Sequence, residues 1–268
     1  MNPKNLKHTP IQSTKYDREY YEEACDGYKE FMISQGNYLP RRLLLPLEVS
    51  KIKTGMRILD VGSGRGEVIL HSLKKGAWAY GVDYSWDALQ VAKANLSVSA
   101  KFESNSGVHL YQSDAKFLPF MDASFDRIFF LDVVEHLYPE ELAMALAEAN
   151  RVLRPNGWLI VHTMPNLWYY RFGYPLFRLV SRIHGKQLPT DPRDRWKYKE
   201  VHVNEQTPLK LKKELVLQGF KTKIWLETTQ AYDTEPNRII RKIMTMLTYL
   251  YPFRWVFCND IFAIGIKQ

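Results

Sequence analysis

The pattern of apolar and polar positions changes sharply near residue 55. Before it, the sequence predicts an amphipathic helix over 17–34, rich in tyrosine and acidic side chains, and a second helix over 41–50 that follows Pro40. After it, short apolar runs that end in glycine or aspartate alternate with amphipathic stretches of helix length. Short apolar runs of this kind are typical of parallel strands that are buried on both faces.

Seven strands follow from this pattern. We expect strands over 56–61, 77–82, 108–111, 125–131 and 158–163, and two more over 221–227 and 260–266. The helices expected between them cover 67–75, 87–96 and 140–152, and a further one begins near Thr207. Because strand–helix–strand units are right-handed, this order predicts an α/β fold: a Rossmann-like, seven-stranded, mostly parallel sheet with helices on both faces.

Two long segments, 164–206 and 229–257, do not fit the alternation. Loops this long in a compact domain are usually lids or binding elements, so we expect helical lid insertions. We therefore divide the chain into an N-terminal helical cap over 1–54, a core over 55–163, a basic aromatic lid over 164–206 and a C-terminal part of the core over 207–268. The second insertion, 229–257, lies within this last part.

The chain carries a net charge of +8, and the excess of positive charge lies outside the predicted core. Residues 161–268 contain 18 Lys and Arg against 9 Asp and Glu, whereas residues 55–160 contain 10 against 13. This asymmetry favours an anionic partner for the C-terminal part, such as a phosphate-bearing substrate, a membrane surface or nucleic acid. A generally basic protein is the alternative interpretation.

The two cysteines, Cys25 and Cys258, imply neither a disulfide framework nor a zinc site of their own. The first residues lack the apolar run of a signal peptide, and no apolar stretch has the length of a membrane-spanning helix. We therefore expect a cytoplasmic protein with reduced thiols. Contact with the inner face of the membrane stays open.

The strongest chemical signal is the sequence LDVGSGRG at 59–66, where a strand turns through alternate glycines into a helix. Glycine is needed where the backbone adopts unusual torsion angles or approaches a ligand closely. Asp83, at the tip of the next strand, can accept both ribose hydroxyls of an adenosine group. The spacing differs from the G-x-G-x-x-G of dinucleotide sites, and Asp60 would repel a pyrophosphate. The loop therefore suits a ligand with an ammonium and a sulfonium, as S-adenosylmethionine (SAM) has.

Five segments in order resemble the motifs of class I SAM-dependent methyltransferases. DVGSGRG at 60–66 resembles motif I, GVDYS at 81–85 resembles motif II, and SDA at 113–115 resembles the segment whose acid meets the adenine amino group. The sequence at 125–137, which ends in LDVVEHL, resembles the fourth motif in the group that includes the ubiquinone/menaquinone methylases. RVLRPNG at 151–157 resembles the turn before the fifth strand.

The resemblance implies a SAM-dependent methyltransferase with a SAM-binding core over 55–163. The residues that it places around the methionine and ribose portions are Asp60, Gly62, Ser63 and Gly64. It places the ribose hydroxyls on Asp83, and the adenine near Tyr84, Ser85, Asp114 and Ala115. Leu131 would form the floor beneath the sulfonium. From the residues alone, the tyrosines at 16, 20 and 21 are candidates to close over the cofactor, with a core role as the alternative.

A general base is needed only if the acceptor is a neutral group such as a hydroxyl. We predict His136 and His202 as catalytic or acceptor-contacting residues. His136 follows the fourth strand at the sheet edge where ligands bind, and its alternative role is to hold the next helix. His162 lies in a strand that is buried on both faces, so we interpret it as a core histidine. The sequence shows no cluster at metal-ligand spacing, and we expect no metal.

The acceptor is less well indicated than the cofactor. Residues 166–182 are dense in aromatics with interspersed arginines, and 238–250 is again basic and amphipathic. Such helices lie at a membrane surface or cover an apolar, anionic acceptor, unless they simply complete the core. The arrangement loosely resembles bacterial methylases of cell-envelope glycans. A hydroxyl of a glycan or lipid-linked glycan is therefore the first hypothesis, and a lipid or quinone-like small molecule is the second.

Three other classes of protein compete with these hypotheses: nucleic-acid methylases, nicotinamide oxidoreductases and catalytically silent SAM-binding proteins. Nucleic acid is not expected, because LDVV stands at 131–134 in place of the D/N/S-P-P-Y/F motif of amino-methylating DNA enzymes. A nicotinamide oxidoreductase would need a pyrophosphate cradle. A catalytically silent SAM-binding protein stays open, because the glycine loop and Asp83 bear on cofactor binding alone.

Overall fold

The sheet contains seven strands in the order β3-β2-β1-β4-β5-β7-β6. A computed structural model describes residues 8–98, 108–228, 232, 235 and 237–268 of the chain. The strands are β1 (Arg57–Val61), β2 (Trp78–Asp83), β3 (Val108–Gln112), β4 (Phe125–Leu131), β5 (Leu153–Thr163), β6 (Phe220–Glu227) and β7 (Asp260–Lys267). Strands β1 to β5 pair in parallel, and β7 runs antiparallel between β5 and β6. The predicted Rossmann-like sheet is confirmed.

Helices cover both faces of this sheet. In the described residues they are α1 (Tyr28–Ile33), α2 (Arg41–Val49), α3 (Glu67–Lys74), α4 (Trp86–Val98), α5 (Pro139–Val152), α6 (Tyr174–Ile183), α7 (Pro208–Leu217), α8 (Arg238–Tyr249) and α9 (Arg254–Phe257). Successive side chains of β4 point to opposite faces: Phe129 packs in the cluster of α2 and α3, and Phe130 in the cluster of α5 and α7. Both rings are fully buried, which explains why β4 has no polar alternation.

The helix predicted over 17–34 is not continuous. A π-helical turn, Tyr20–Ala24, precedes α1, and Gly27 between them has a φ of +88°. Arg65 donates hydrogen bonds to the carbonyl oxygens of Cys25, at 2.7 Å, and Asp26, at 2.9 Å. These carbonyls are therefore held by a guanidinium from the glycine loop rather than by helical N–H groups, which breaks the helix.

Helices from both predicted insertions share one apolar cluster. It contains Tyr174 and Phe177 of α6, Ile240 and Met244 of α8, and Phe257 of α9. Residues 229–231, 233–234 and 236 of the second insertion lie outside the described part, and the domain boundaries stay a prediction. Among the described residues, no helix combines the length and the apolar character needed to cross a membrane.

Candidate active site

A cavity opens at the carboxyl edge of β1, β2 and β4, where the strand order reverses. Ligands of doubly wound α/β proteins bind at such a switch point. The cavity has an empty volume of about 1170 Å³, part of it open to solvent. Nine of the ten residues predicted to contact the cofactor line it: Asp60, Gly62, Ser63, Gly64, Asp83, Tyr84, Asp114, Ala115 and Leu131. We call the part formed by Asp60, Gly62, Ser63, Gly64 and Asp83 the glycine end.

The glycine loop needs its glycines for two reasons. Gly62, Gly64 and Gly66 have φ values of +72°, +46° and +80°, which side-chain-bearing residues rarely adopt. A Cβ atom on Gly62 would also lie 2.6 Å from Cγ2 of Val133, which follows β4. The loop is thus packed against the β4 terminus, and its backbone faces the cavity.

Asp83 is buried beside this loop and accepts three hydrogen bonds. The donors are the backbone N–H of Gly64 at 2.8 Å, the backbone N–H of Ser85 at 2.9 Å and the hydroxyl of Tyr21 at 3.4 Å. Burial raises the pKa of Asp83 to about 6, although these donors act in the opposite direction. The carboxylate is therefore ionised at neutral pH and fixed in orientation.

Asp60 and Ser63 carry polar atoms that the described protein leaves unsatisfied. Within the described ranges, no hydrogen bond joins the Asp60 carboxylate to another group, and burial, together with Asp83, raises its pKa well above the usual range. The buried Ser63 hydroxyl has no hydrogen-bond partner in the same part of the chain. A ligand with a positive charge and hydrogen-bonding groups would satisfy both, so the residues present fit SAM.

Ser85, the tenth predicted cofactor contact, is absent from the cavity wall. Its hydroxyl donates to the backbone oxygen of Tyr16 at 2.5 Å and accepts from the N–H of Ala88 at 3.2 Å. Ser85 thus joins the N-terminal segment to the start of α4. Asp114 lines the cavity and forms an ion pair with Lys116 at 2.9 Å, so its carboxylate is already partly neutralised.

His136 lines the other end of the cavity, and His202 contacts it from a separate segment. The two ring centroids are 4.8 Å apart in an edge-on arrangement. Nδ1 of His136 lies 3.1 Å from the backbone oxygen of Val201, whereas the buried Nδ1 of His202 has no partner among the described residues. Burial lowers the pKa of His136 to about 4 and that of His202 to about 3, so both rings are neutral at physiological pH.

Glu135 completes this group, which we call the histidine end: Glu135, His136 and His202. Its Oε2 accepts a hydrogen bond from the Thr163 hydroxyl at 2.7 Å, and burial, followed by the charge of Asp132, raises its pKa to about 8. One potential ligand atom from each of the three residues lies within 4.8 Å of the other two. No metal-ligand spacing is visible in the sequence, because His202 is distant in the chain and only the fold brings it to the other two.

A charged network adjoins the histidine end: His162 is fully buried, whereas Asp132 and Arg42 line the cavity. The ring of His162 contacts Asp132 through Nδ1, at 2.5 Å, and Asp260 through Nε2, at 3.0 Å. Burial acts against protonation, but the two carboxylates outweigh it and raise the pKa of His162 to about 10. Arg42 of α2 also pairs with Asp132. The core role expected for His162 is confirmed, and its partners are residues that the sequence pattern did not reveal.

The N-terminal segment forms part of the cavity wall. Of the two roles expected for its tyrosines, covering the cavity or completing the core, the structure favours the first. Tyr16, Tyr20 and Tyr21 all line the cavity, with Tyr16 edge-on to His136 at a centroid distance of 5.6 Å. Arg65 holds this segment in place by donating to the backbone oxygens of Cys25 and Asp26, and a 2.6 Å ion pair with Glu67 of α3 orients its guanidinium. No sequence pattern indicated this role of Arg65, since an arginine between two glycines has no fixed partner until the fold forms.

Comparison with known proteins identifies the fold and its motifs. The methyltransferase domain family matches residues 59–161. A demethylmenaquinone methyltransferase from Staphylococcus haemolyticus is 32% identical over 142 residues, which cover 50% of this chain and 56% of that protein. A ubiquinone/menaquinone biosynthesis C-methyltransferase from Teredinibacter turnerae is 31% identical over 172 residues, 60% of this chain and 66% of that protein. The chain belongs to the class I SAM-dependent methyltransferases.

The methyltransferase fold extends beyond the matched domain. The phosphoethanolamine N-methyltransferase 2 of Haemonchus contortus, solved with phosphomonomethylethanolamine and S-adenosylhomocysteine, superposes with a TM-score of 0.61 at 18% identity. The superposition covers 98% of this chain and 62% of that one, and it shows the fold alone. The chain spans about half the length of the curated relatives it matches.

Only part of the cavity wall belongs to the matched domain. Residues 59–161 contain the whole glycine end together with Glu135 and His136. They exclude His202, Thr163 and the tyrosines that cover the cavity. The wall around His136 therefore combines residues of the matched domain with tyrosines that are not part of it.

Proposed function

We propose that this protein transfers a methyl group from SAM to a hydroxyl oxygen of its acceptor. One observation carries the proposal: His136, a neutral and half-buried histidine that follows β4 and contacts His202, lines the same cavity as the glycine end. The glycine end suits the cofactor, and the histidine pair offers nitrogen lone pairs to an acceptor that must lose a proton.

The glycine end would hold the cofactor through the residues that the family resemblance names. Asp83 would accept the ribose hydroxyls, Asp60 would face the ammonium group, and the wall of Tyr84, Asp114 and Ala115 would surround the adenine. Ser63 and Leu131 would lie near the methionine portion, with Leu131 beneath the sulfonium. SAM supplies a methyl group bound to a positively charged sulfur, which is an excellent leaving group.

The chemistry then requires alignment and the removal of one proton. Holding the two reactants in line can supply up to about 7–11 kcal/mol of the barrier reduction. The acceptor oxygen would form its bond to the methyl carbon as the carbon–sulfur bond breaks, with the electron pair going to sulfur. With Nδ1 of His136 donating to the Val201 oxygen, Nε2 is the ring nitrogen available to accept the hydroxyl proton.

The acceptor that we propose first is a hydroxyl of a glycan or lipid-linked glycan. Aromatic rings that could stack on a sugar lie near the histidine end. The ring centroids of Trp196 and His202 are 4.8 Å apart, and those of Tyr198 and Tyr20 are 5.2 Å apart. A lipid or quinone-like small molecule is the second candidate, and the quinone-methylating relatives favour it. A catalytically silent SAM-binding protein is the remaining alternative. Methyl transfer to any acceptor would exclude it.

We also propose that the protein is cytoplasmic and that α6 and α8 touch the anionic inner face of the membrane. These helices bury one face in a shared cluster and expose apolar side chains on the other, among them Leu179, 55% exposed, and Ile239, 71% exposed. Arginines at 171, 178, 182, 238 and 241 lie beside them. An exposed apolar strip bordered by cationic side chains complements an anionic lipid surface.

Cofactor binding is the first test. Calorimetric titration of the full chain should show SAM binding, and Asp83→Asn should weaken it at least about tenfold, because charge-assisted hydrogen bonds contribute about 1.5–3 kcal/mol. Asp87→Asn, an exposed aspartate four residues further along, is the matched control and should bind as the wild type does. Binding of NAD(H) in place of SAM would overturn the proposal.

Turnover identifies the acceptor class. Methyl-labelled SAM should be incubated with lipid-linked glycans and, separately, with isoprenoid quinols. Label in the glycan fraction supports the first acceptor, and label in the quinol fraction supports the second. Transfer to neither, by protein that binds SAM, would favour the silent alternative.

Vesicle co-sedimentation tests the membrane contact. Phosphatidylglycerol vesicles should retain the wild type, whereas phosphatidylcholine vesicles should not, and Leu179→Ser with Ile239→Ser should release it. Leu217→Ser on α7, which is 64% exposed, is the matched control and should stay bound. Equal retention by both kinds of vesicle, or no effect of the paired substitution, would contradict the proposed contact.

A further inference from the structure

Three side chains at the histidine end present unshared electron pairs to one another. We propose that Glu135, His136 and His202 form the binding site of one divalent transition-metal ion. The ligand atoms of the three residues already lie within 4.8 Å of one another, so small side-chain rotations would bring them to one ion. Two imidazoles and one carboxylate match the donor set of catalytic zinc sites, which keep a further position open.

The tautomer of His136 suits metal binding. Its Nδ1–H can donate to the backbone oxygen of Val201 at 3.1 Å, which leaves Nε2 without a proton. Metal-binding histidines usually donate their other ring N–H to a carbonyl or carboxylate in this way, which fixes the ring and its tautomer. His136 also lines the cavity, so an ion bound to it would be accessible to an acceptor.

His202 presents the most direct indication. Its Nδ1 is buried and has no hydrogen-bond partner in the described part of the chain. Packing against Trp196 and His136 explains why a flat ring stands here, but a phenylalanine would pack as well without a desolvated nitrogen. A buried polar atom without a partner is costly, and an ion would satisfy it.

Glu135 is held in the orientation that the site needs. Its Oε2 accepts from Thr163 at 2.7 Å, so Oε1 remains for a ligand. Its backbone oxygen accepts hydrogen bonds from the N–H groups of Val203, at 2.9 Å, and Asn204, at 3.0 Å. These bonds attach the segment that carries His202 to the end of β4. The three ligands therefore belong to one rigid unit, although they come from two distant parts of the chain.

The donor set selects the class of ion. Imidazole nitrogens favour Zn²⁺, Fe²⁺ or Co²⁺, whereas Mg²⁺ and Ca²⁺ prefer sites built from oxygen alone. The role of the ion rests on the proposed function: it would bind the acceptor hydroxyl and lower its pKa, so that the proton passes to solvent water and the oxygen attacks the methyl carbon. His136 would then act as a ligand, because its Nε2 cannot also accept the proton.

Cobalt binding tests the site without reference to turnover. Full-length protein treated with EDTA is titrated with Co²⁺, and visible absorption of the bound ion is followed. We expect one equivalent to bind and Zn²⁺ to displace it. His202→Phe and Glu135→Gln should each weaken Co²⁺ binding by more than about tenfold, given that even outer-shell changes cost about 10–100-fold. His184→Phe, at an exposed histidine, should bind Co²⁺ as the wild type does.

Two further measurements keep the outcome unambiguous. If His202→Phe or Glu135→Gln unfolds, Thr163→Val, which removes only the hydrogen bond to Glu135, should still weaken Co²⁺ binding about tenfold. SAM affinity is measured on the same samples. Protein that binds SAM but not Co²⁺, or variants that bind Co²⁺ unchanged, overturn the metal site and leave the proposed function standing. Protein that binds Co²⁺ at these residues but not SAM overturns the proposed function alone.

Discussion

The glycine end of the cavity is built from segments that each follow one strand, whereas the histidine end joins residues that lie far apart in the chain. Asp60 is the penultimate residue of β1 and Asp83 is the last residue of β2, and the parallel pairing of these neighbouring strands brings the two together. His202 reaches His136 through a segment that follows α6 and is held by hydrogen bonds to the backbone of Glu135. The first arrangement needs only a correct sheet, and the second needs the whole fold.

Under the proposed function, this difference separates cofactor binding from acceptor recognition. The glycine end depends on backbone torsion angles and on two buried carboxylates, those of Asp60 and Asp83, which leaves little freedom for substitution. The histidine end depends on side chains contributed by connecting segments, and such segments can change without disturbing the sheet. We therefore expect substitutions at one end to leave the other largely intact, and four predictions test this.

The largest effect is expected from His162→Leu, which lies behind the histidine end. The substitution removes the imidazolium that contacts both Asp132 and Asp260, so the free energy of unfolding should fall by about 3–5 kcal/mol. Urea denaturation measures it, and His184→Leu at an exposed site should change it by less than about 0.5 kcal/mol. SAM affinity of the folded variant should stay close to that of the wild type. A loss of stability below about 1 kcal/mol would show that the network contributes little.

Gly62→Ala should disrupt the glycine end, because the added methyl group would collide with Val133. Its Cβ would lie 2.6 Å from Val133, whereas a Cβ at Gly185, with a similarly positive φ of +79°, meets nothing within 4 Å. Gly62→Ala should therefore cost about 1–3 kcal/mol more than Gly185→Ala in unfolding free energy, and it should also weaken SAM binding. Urea denaturation and calorimetry measure the two effects. Equal costs would mean that the torsion angle alone requires glycine, and Val133→Ala should restore part of the difference.

The pH dependence of SAM affinity tests the ionisation of Asp83. Because its pKa is raised to about 6, protonation should weaken SAM binding about tenfold between pH 7 and pH 5. A raised carboxyl pKa stabilises the fold below the unfolded pKa of 3.8, and this contribution is lost as the pH rises through about 6. Affinity and this part of the stability thus change in opposite directions. Calorimetry should show a stronger pH dependence in the wild type than in Asp83→Asn, in which Asp60 is still titratable, and a flat wild-type profile would contradict the prediction.

Tyr21→Phe should have the smallest effect. The hydroxyl of Tyr21 lies 3.4 Å from the Asp83 carboxylate, which is a long hydrogen bond, while two backbone donors remain. We expect the SAM dissociation constant to rise by less than about threefold, since a weak hydrogen bond contributes about 0.5 kcal/mol. Tyr249→Phe, at a 74% exposed tyrosine, is the control. A tenfold change would show that the N-terminal segment contributes directly to cofactor binding.

Local signals predicted the glycine end well, and the reason is visible in its construction. The apolar runs located β1, β2 and β4 to within a residue or two, and the carboxyl ends of parallel strands always share an edge. Nine of the ten predicted cofactor residues consequently line the cavity. Ser85 does not, because its hydroxyl is taken by Tyr16, a residue that no local pattern connects to it.

Local sequence patterns did not predict the structure of the N-terminal segment or the contacts at the histidine end. The helix expected over 17–34 is interrupted because Arg65 binds its carbonyl oxygens, an interaction across about 40 residues. His136 and His202 were each identified as candidates, but their contact, and the participation of Glu135, depend on hydrogen bonds from the Glu135 backbone to the segment that carries His202. The spacing of residues along the chain does not predict hydrogen bonds between such distant segments.

The sequence by itself determined the seven strands, the glycine loop and the acid at the end of β2, because these depend on hydrophobic periodicity and on torsion angles that only glycine tolerates. The tertiary structure alone decided that Arg42 and His162 share Asp132, that tyrosines cover the cavity and that two histidines meet beside Glu135. Each of these contacts joins groups from distant segments, and burial then sets their pKa values and their reactivity. Local patterns specify the backbone, whereas the chemistry of the histidine end depends on the environment that the folded chain creates.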